Sequence, residues 1–240
     1  MNLRSIFLAL ALISFTSFNA TAQVKKAGTP TAKKVVVPAK PSKETAGNTK
    51  VKITTDMGVI IVRLYDSTPK HRDNFVKLVE QKFYDSLLFH RIIQGFMIQG
   101  GDPLSKNAQP GSMLGMGGGD MERIPAEFNK NIIHKKGALC AARDGNPQKA
   151  SSACQFYIVQ GNPTPEDQLK MMSQQKGYEY TPEQINIYKT LGGTPFLDME
   201  YTVFGEVVSG LDVLDKIAAV QKDQSDRPLK DVRMKMELMK

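Results

Sequence analysis

The chain of 240 residues is 41% hydrophobic and 23% charged, a balance that supports one well-buried core with appendages and excludes wholesale disorder and collagen-like or fibrous classes. Two cysteines without a C-x-x-C pair exclude a disulfide framework, a zinc ribbon and a thioredoxin-type site. The net charge of +8 is concentrated in residues 1–50, which hold eight lysines and arginines against the single acid Glu44; the remaining 190 residues carry 24 basic and 23 acidic side chains, too even a balance for a dedicated nucleic-acid binder.

Residues 1–22 place Arg4 before an apolar run from Ile6 to Phe15 and end in Ala20-Thr21-Ala22, the three-part layout of a cleaved secretory signal. The run is about half the ~20 residues that span a bilayer, so no stable membrane span is expected after cleavage. No cysteine follows the signal to carry a lipid anchor. The expected location is outside the cytoplasm, in a periplasm or a similar compartment. Residues 23–49, rich in Lys, Ala, Thr and Pro, offer little apolar surface to offset ordering and read as a disordered basic linker. A folded domain is expected over 50–240.

That domain opens with a hairpin, Val51, Ile53 and Thr55 alternating with polar residues before the turn Asp56-Met57-Gly58 and the run Val59–Val62. Thr68-Pro69 predicts a helix start, with Phe75, Leu78 and Val79 at helical spacing up to Lys82. Further strands are predicted over 87–93, 96–99, 139–142, 156–159, 202–208 and 232–238. A second capping helix begins near Ser209-Gly210. Seven or eight strands without regular strand-helix alternation predict a mainly β, antiparallel barrel. Between about 162 and 195 the texture changes: Thr181 with Gln184 forms a capping box and Gly192-Gly193 a helix stop, predicting a helical insertion.

Several kinds of chemistry fail on spacing. His71, His90 and His134 are scattered without a metal-ligand pattern, so no metal is expected. His90, between Phe89 and Arg91, reads as a packed strand histidine. The cluster Gly115, Gly117, Gly118 and Gly119 lacks the Lys-Ser or Lys-Thr of a phosphate-binding loop, and no G-x-S-x-G elbow is present. What stands out is Phe89-His90-Arg91-Ile92-Ile93-Gln94-Gly95-Phe96-Met97-Ile98-Gln99-Gly100-Gly101-Asp102, followed later by Gln155-Phe156-Tyr157-Ile158. In these stretches the chain resembles the cyclophilin-type peptidyl-prolyl cis-trans isomerases, from about Val51 to the C-terminus with the helical insertion interrupting the match.

The resemblance implies an eight-stranded antiparallel closed β-barrel capped by two α-helices, a reaction that rotates Xaa-Pro bonds, proline-containing polypeptides as partners, and no cofactor. It implies that Arg91 donates a hydrogen bond to the prolyl nitrogen, and that Phe96, Met97, Phe156 and Leu197 line the proline pocket. Gln99 would orient Arg91 and contact the substrate backbone, Gln155 would help to grip the peptide, and Ala142 and Arg143 would present backbone groups to the residue before proline. The glycine-rich stretch 111–119 would flank the extended peptide. Two positions depart from the family pattern. Phe196 stands where tryptophan is usual and lacks an indole N–H, so tight cyclosporin binding is not expected. Tyr201 stands in place of histidine and can still stack and donate. A second reading, in which the barrel holds proline segments with little turnover and the insertion recruits clients, stays open. So does the state of Cys140 and Cys154, in neighbouring strand regions, as a disulfide or as buried thiols.

Overall fold

The computed structural model describes residues 49–239. The signal expected over 1–22, and all but the last residue of the linker expected over 23–49, lie outside the described residues. Eight strands form one antiparallel sheet: β1 (Lys50–Thr55), β2 (Gly58–Leu64), β3 (Phe89–Ile93), β4 (Met97–Gly100), β5 (Ala138–Ala141), β6 (Phe156–Val159), β7 (Val203–Ser209) and β8 (Lys235–Met239). Their order across the sheet is β3-β4-β6-β5-β7-β2-β1-β8.

The sheet curls until its edges approach, but the expected closed barrel overstates the pairing. No strand ladder joins β3 to β8. The gap is spanned by the start of β3 and the residues before it: Phe89 N–H donates to the Val232 carbonyl (2.9 Å), Ser86 N–H donates to the Met234 carbonyl (2.9 Å), and Met234 N–H donates to the Leu87 carbonyl (2.9 Å). This explains why the alternating run predicted as one strand from Val232 divides. Residues 232–234 face the β3 approach, and only from Lys235 does the chain pair with β1 as β8.

Alternation along the strands separates two apolar layers. The inner layer takes Val51, Ile53, Ile60, Val62, Phe89, Ile92, Ile98, Leu139, Phe156, Ile158 and Phe204. Helices α1 (Pro69–Glu80) and α4 (Leu211–Ala218) bury Phe75, Leu78 and Val79 and Val213, Leu214 and Ile217 against it. The outer layer is smaller, with Met97, Ala138, Cys140, Ala142, Tyr157, Val159 and Val203. Helices α2 (Glu166–Lys176) and α3 (Pro182–Thr190) lie between β6 and β7 and enclose a third cluster of Ile133, Leu169, Tyr180 and Tyr188. The capping box at Thr181 and Gln184 forms as the sequence predicts.

The start of α1 is held differently from its sequence signal. Thr68 makes no side-chain cap; the Glu127 carboxylate accepts from Lys70 N–H (3.1 Å) and His71 N–H (3.0 Å), supplying from a distant loop the acceptors that a helix start lacks. Both cysteines are free and buried, Cys140 in the outer layer and Cys154 in the inner one.

Candidate active site

Arg91 and Gln99 are opposite one another on β3 and β4, Gln99 is opposite Tyr157 on β6, and Tyr157 is opposite Cys140 on β5. Directly opposed residues share a face, so one row across four strands carries a guanidinium, an amide and a phenol on the outer side of the barrel. The next row, Ile93, Met97 and Val159, is apolar. Arg91 is exposed, and among the described residues its guanidinium makes no hydrogen bond or ion pair. A free, permanently charged fork of donors thus stands beside an apolar floor.

The floor and walls come from three places. Met97 and Tyr157 are buried at the base, with Phe96, Leu197 and Tyr201 half-buried against the same cluster. Phe96 meets Phe196, whose ring is half exposed, at 5.6 Å between centroids. Tyr201 meets Tyr157 edge-on at 5.9 Å, and the Arg143 guanidinium lies 4.5 Å above the Tyr201 ring. Arg143 also donates from Nε to the Glu200 carbonyl (3.1 Å), so its side chain braces the wall while its backbone makes no hydrogen bond among the described residues.

Four of the expected placements differ in the structure. Phe156 does not line this face: it is 1% exposed in the inner layer, edge-on to Phe75, Tyr84 and Phe89 at 5.7, 5.6 and 6.1 Å. Strand alternation sends Phe156 inward and Tyr157 outward, so Tyr157 occupies the place expected for Phe156. The Gln155 side chain is buried and fully used. Its Oε1 accepts from Gln99 Nε2 (3.1 Å) and its Nε2 donates to the carbonyls of Gly115 and Gly117 (both 2.9 Å), so it fixes the glycine-rich loop rather than gripping a peptide. Ala142 donates to the Gln155 carbonyl (2.9 Å) and accepts from Ser152 (2.8 Å), so of the expected pair only Arg143 keeps a free backbone. The amide of Gln99 is turned to Gln155 instead of Arg91, leaving its oxygen free to accept.

The glycine-rich loop is close-packed by necessity. A Cβ at Gly117 would fall 2.0 Å from Asp102 Oδ1, and one at Gly118 would fall 2.3 Å from Cys154 Sγ. The Asp102 carboxylate accepts from Leu104 N–H (2.8 Å) and from Gly115 N–H. Between this loop, Gln99, Gln155 and Arg143 lies a cavity of about 180 Å³. His90, at the bulge in the β3–β4 pairing, faces Gly115 with both ring nitrogens buried and unpartnered, and burial lowers its pKa to about 4. Tyr157 was missed as a site residue although its alternation with Phe156 was visible. Its buried hydroxyl has no well-formed partner, the nearest polar neighbour being the weakly bonding Cys140 thiol across the strand pair, and burial raises the phenol well above its ordinary pKa. Among the described residues no group of three His, Cys, Asp or Glu side chains is placed to hold a metal, and no helix is long and apolar enough to cross a membrane.

A curled eight-stranded sheet with two helices packed against its inner layer and a charged, partly apolar outer face defines a class of fold that comparison with known proteins narrows. Residues 50–237 match the family model described as cyclophilin type peptidyl-prolyl cis-trans isomerase/CLD. A Staphylococcus saprophyticus protein described as a peptidyl-prolyl cis-trans isomerase is 37% identical over 171 residues, 70% of this chain and 80% of that one. A Staphylococcus aureus protein of the same description is 35% identical over 189 residues, covering 78% and 89%. Among solved structures, the Cryptosporidium parvum cyclophilin type peptidyl-prolyl cis-trans isomerase superposes with a TM-score of 0.61 at 23% identity, over 81% of this chain and 99% of that one. A second crystal structure of that protein, in the presence of the dipeptide Ala-Pro, gives a TM-score of 0.57 at 22% identity. The chain belongs to the cyclophilin-type peptidyl-prolyl cis-trans isomerase family.

Proposed function

We propose that the outer face of the barrel catalyses rotation about Xaa-Pro bonds, with Arg91 as the catalytic donor. The observation that carries this is the free guanidinium of Arg91 in register with Gln99, one row from the apolar floor of Met97. Amide resonance sets a barrier of about 18–20 kcal/mol, slow enough to limit folding. As the bond twists, the prolyl nitrogen becomes pyramidal and its lone pair leaves resonance, becoming an acceptor that the planar amide lacks. A guanidinium N–H aimed at that lone pair is bonded only in the twisted state, so its interaction lowers the barrier instead of merely holding the substrate.

The other residues position the peptide. The pyrrolidine ring settles against Phe96, Met97, Tyr157 and Leu197, with Phe196 and Tyr201 at the rim. The Gln99 carbonyl oxygen accepts from the peptide backbone, and the backbone of Arg143 pairs with the residue before proline. Apolar walls exclude water and strengthen each of these bonds. Nothing covalent forms, and no metal or cofactor enters the steps. The sequence of residues 1–22 supports a site of action outside the cytoplasm, on folding or unfolded exported polypeptides. A prolyl-tetrapeptide isomerisation assay tests the reading: saturable acceleration of the cis-to-trans step is expected, and tight binding of the peptide without acceleration would overturn it.

A further inference from the structure

The wall of the proposed proline pocket is a short loop, Pro195–Asp198, and the polar groups of α2, α3 and their connection hold it from behind. The ammonium of Lys176, at the end of α2, donates to the carbonyls of Phe196 (2.9 Å) and Asp198 (2.6 Å). The Tyr188 hydroxyl on α3 donates to Asp198 Oδ2 at 2.6 Å. The Tyr180 hydroxyl donates to the same oxygen at 2.8 Å, with the Pro195 carbonyl 3.2 Å away. Oδ1 of Asp198 accepts from the backbone N–H and ring Nδ1 of His134, both at 2.8 Å, and the His134 ring is stacked on Tyr157 with centroids 6.4 Å apart. Asp198 is 2% exposed, so this carboxylate is a buried hub between the helices and the pocket.

Such a hub has a stated cost. A buried carboxylate is tolerated only when its lone pairs are filled, and here both tyrosine donors come from the segment that the sequence reads as an insertion. Burial and the Asp198 charge raise both phenols far above their ordinary pKa, so they remain donors. The loop itself is too short to hold its shape alone: Pro195–Leu197 is a single 3-10 turn, and Phe196 is half exposed.

We infer that Lys176, Tyr180 and Tyr188 are positioning residues that fix Phe196 and Leu197 against the proline ring, so that the helical segment tunes the affinity of the pocket for proline. This rests on the proposed use of the outer face as the proline site. Arg91 and Gln99 sit on strands that the network does not touch, so the effect falls on substrate binding and spares the chemical step.

The test compares Lys176→Met, the double substitution Tyr180→Phe with Tyr188→Phe, and Thr181→Ala in the full chain. Thr181→Ala removes the cap of α3 without touching the loop and serves as the measure of simple loosening. Calorimetric Kd for an Ala-Pro tetrapeptide, KM, kcat and thermal stability are read for each. The expected result is a rise in Kd and KM of about tenfold for the Lys176 and tyrosine variants, with kcat within about twofold, while Thr181→Ala lowers Tm and leaves Kd unchanged. Lys176→Arg, which keeps a charged donor, should restore most of the affinity. Unchanged Kd in the Lys176 and tyrosine variants, or an equal rise in Thr181→Ala, would overturn the inference. A wild type that binds the peptide without turning it over would refute the catalytic reading alone, because the Kd ratios still decide the role of the network.

Discussion

Replacing Phe156 and Tyr157 by alanine, one at a time, separates the core of this protein from its site. The two residues are adjacent on β6, yet Phe156 is buried among Phe75, Tyr84 and Phe89, whereas Tyr157 shares the outer face with Gln99 and Met97. Truncating a fully buried phenylalanine costs about 3–5 kcal/mol in lost transfer energy and cavity. For a folded region of this size each kcal/mol moves Tm by about 2–4 °C, so Phe156→Ala is expected to lower Tm by roughly 6–20 °C. The molecules that remain folded should turn over proline peptides at a near-normal rate, because the change lies on the inner face. Tyr157→Ala is expected to remove the pocket floor and lower kcat/KM by about tenfold or more, an apolar contact of about 1.4 kcal/mol or larger. Tyr157→Phe removes a hydroxyl without a well-formed partner and should be neutral or slightly stabilising. Urea denaturation and the isomerisation assay, run on the same samples at a temperature where all are folded, give both quantities. Full activity in Tyr157→Ala together with its loss in folded Phe156→Ala would refute the assignment of faces.

Three further predictions concern stability. His90 is held neutral by burial, with its pKa lowered from 6.5 to about 4; Asp102 opposes this and Arg91 and Arg227 add to it. The unfolded chain therefore takes up a proton first as pH falls. The stabilisation is complete above about pH 6.5 and declines by about 3 kcal/mol as pH drops to about 4, with buried His71 acting in the same direction. His90→Leu should flatten the acid limb of a stability-versus-pH curve, and an unchanged slope would contradict this. Glu127→Ala orphans two N–H groups of α1 and Nδ1 of the His71 ring, whose Nε2 keeps its Ser151 partner, and should cost about 2 kcal/mol in urea titrations. Gly101→Ala places a Cβ 2.1 Å from the Cys154 carbonyl at a φ of +92°, and a Tm within a degree or two of wild type would show that the backbone there yields freely.

How far the sequence carries can be judged at particular residues. The alternation of Val232, Met234 and Met236 correctly gave a buried face, and Thr181 with Gln184 gave the start of α3, because both signals are local. The same local reading went wrong at Phe156, where the resemblance was applied one residue out of phase; a period of two reverses every side chain when it slips by one. The partition of Gln155 towards the glycine loop could not be read, since it depends on Gly115 and Gly117 being brought back 38 to 40 positions along the chain. Glu127 capping α1 and Asp198 accepting from His134 are likewise contacts between segments 56 to 64 positions apart, and Tyr180 and Tyr188 reach the same carboxylate only through the turn that follows α3. No spacing rule encodes them. The closed barrel was what the resemblance implied, whereas no ladder joins the two edge strands and the gap between them is bridged by backbone hydrogen bonds from residues 86–89 to Val232 and Met234.

The central claim is that the Arg91 guanidinium stabilises the twisted imide. Its most direct test is kcat/KM for a prolyl tetrapeptide in Arg91→Ala, with circular dichroism and Tm confirming that this exposed substitution leaves the fold intact. Loss of a donor aimed at the transition state predicts a fall of about 10²–10³, or about 3–4 kcal/mol, borne mainly by kcat. A folded Arg91→Ala protein that turns over the peptide at the wild-type rate would contradict the account.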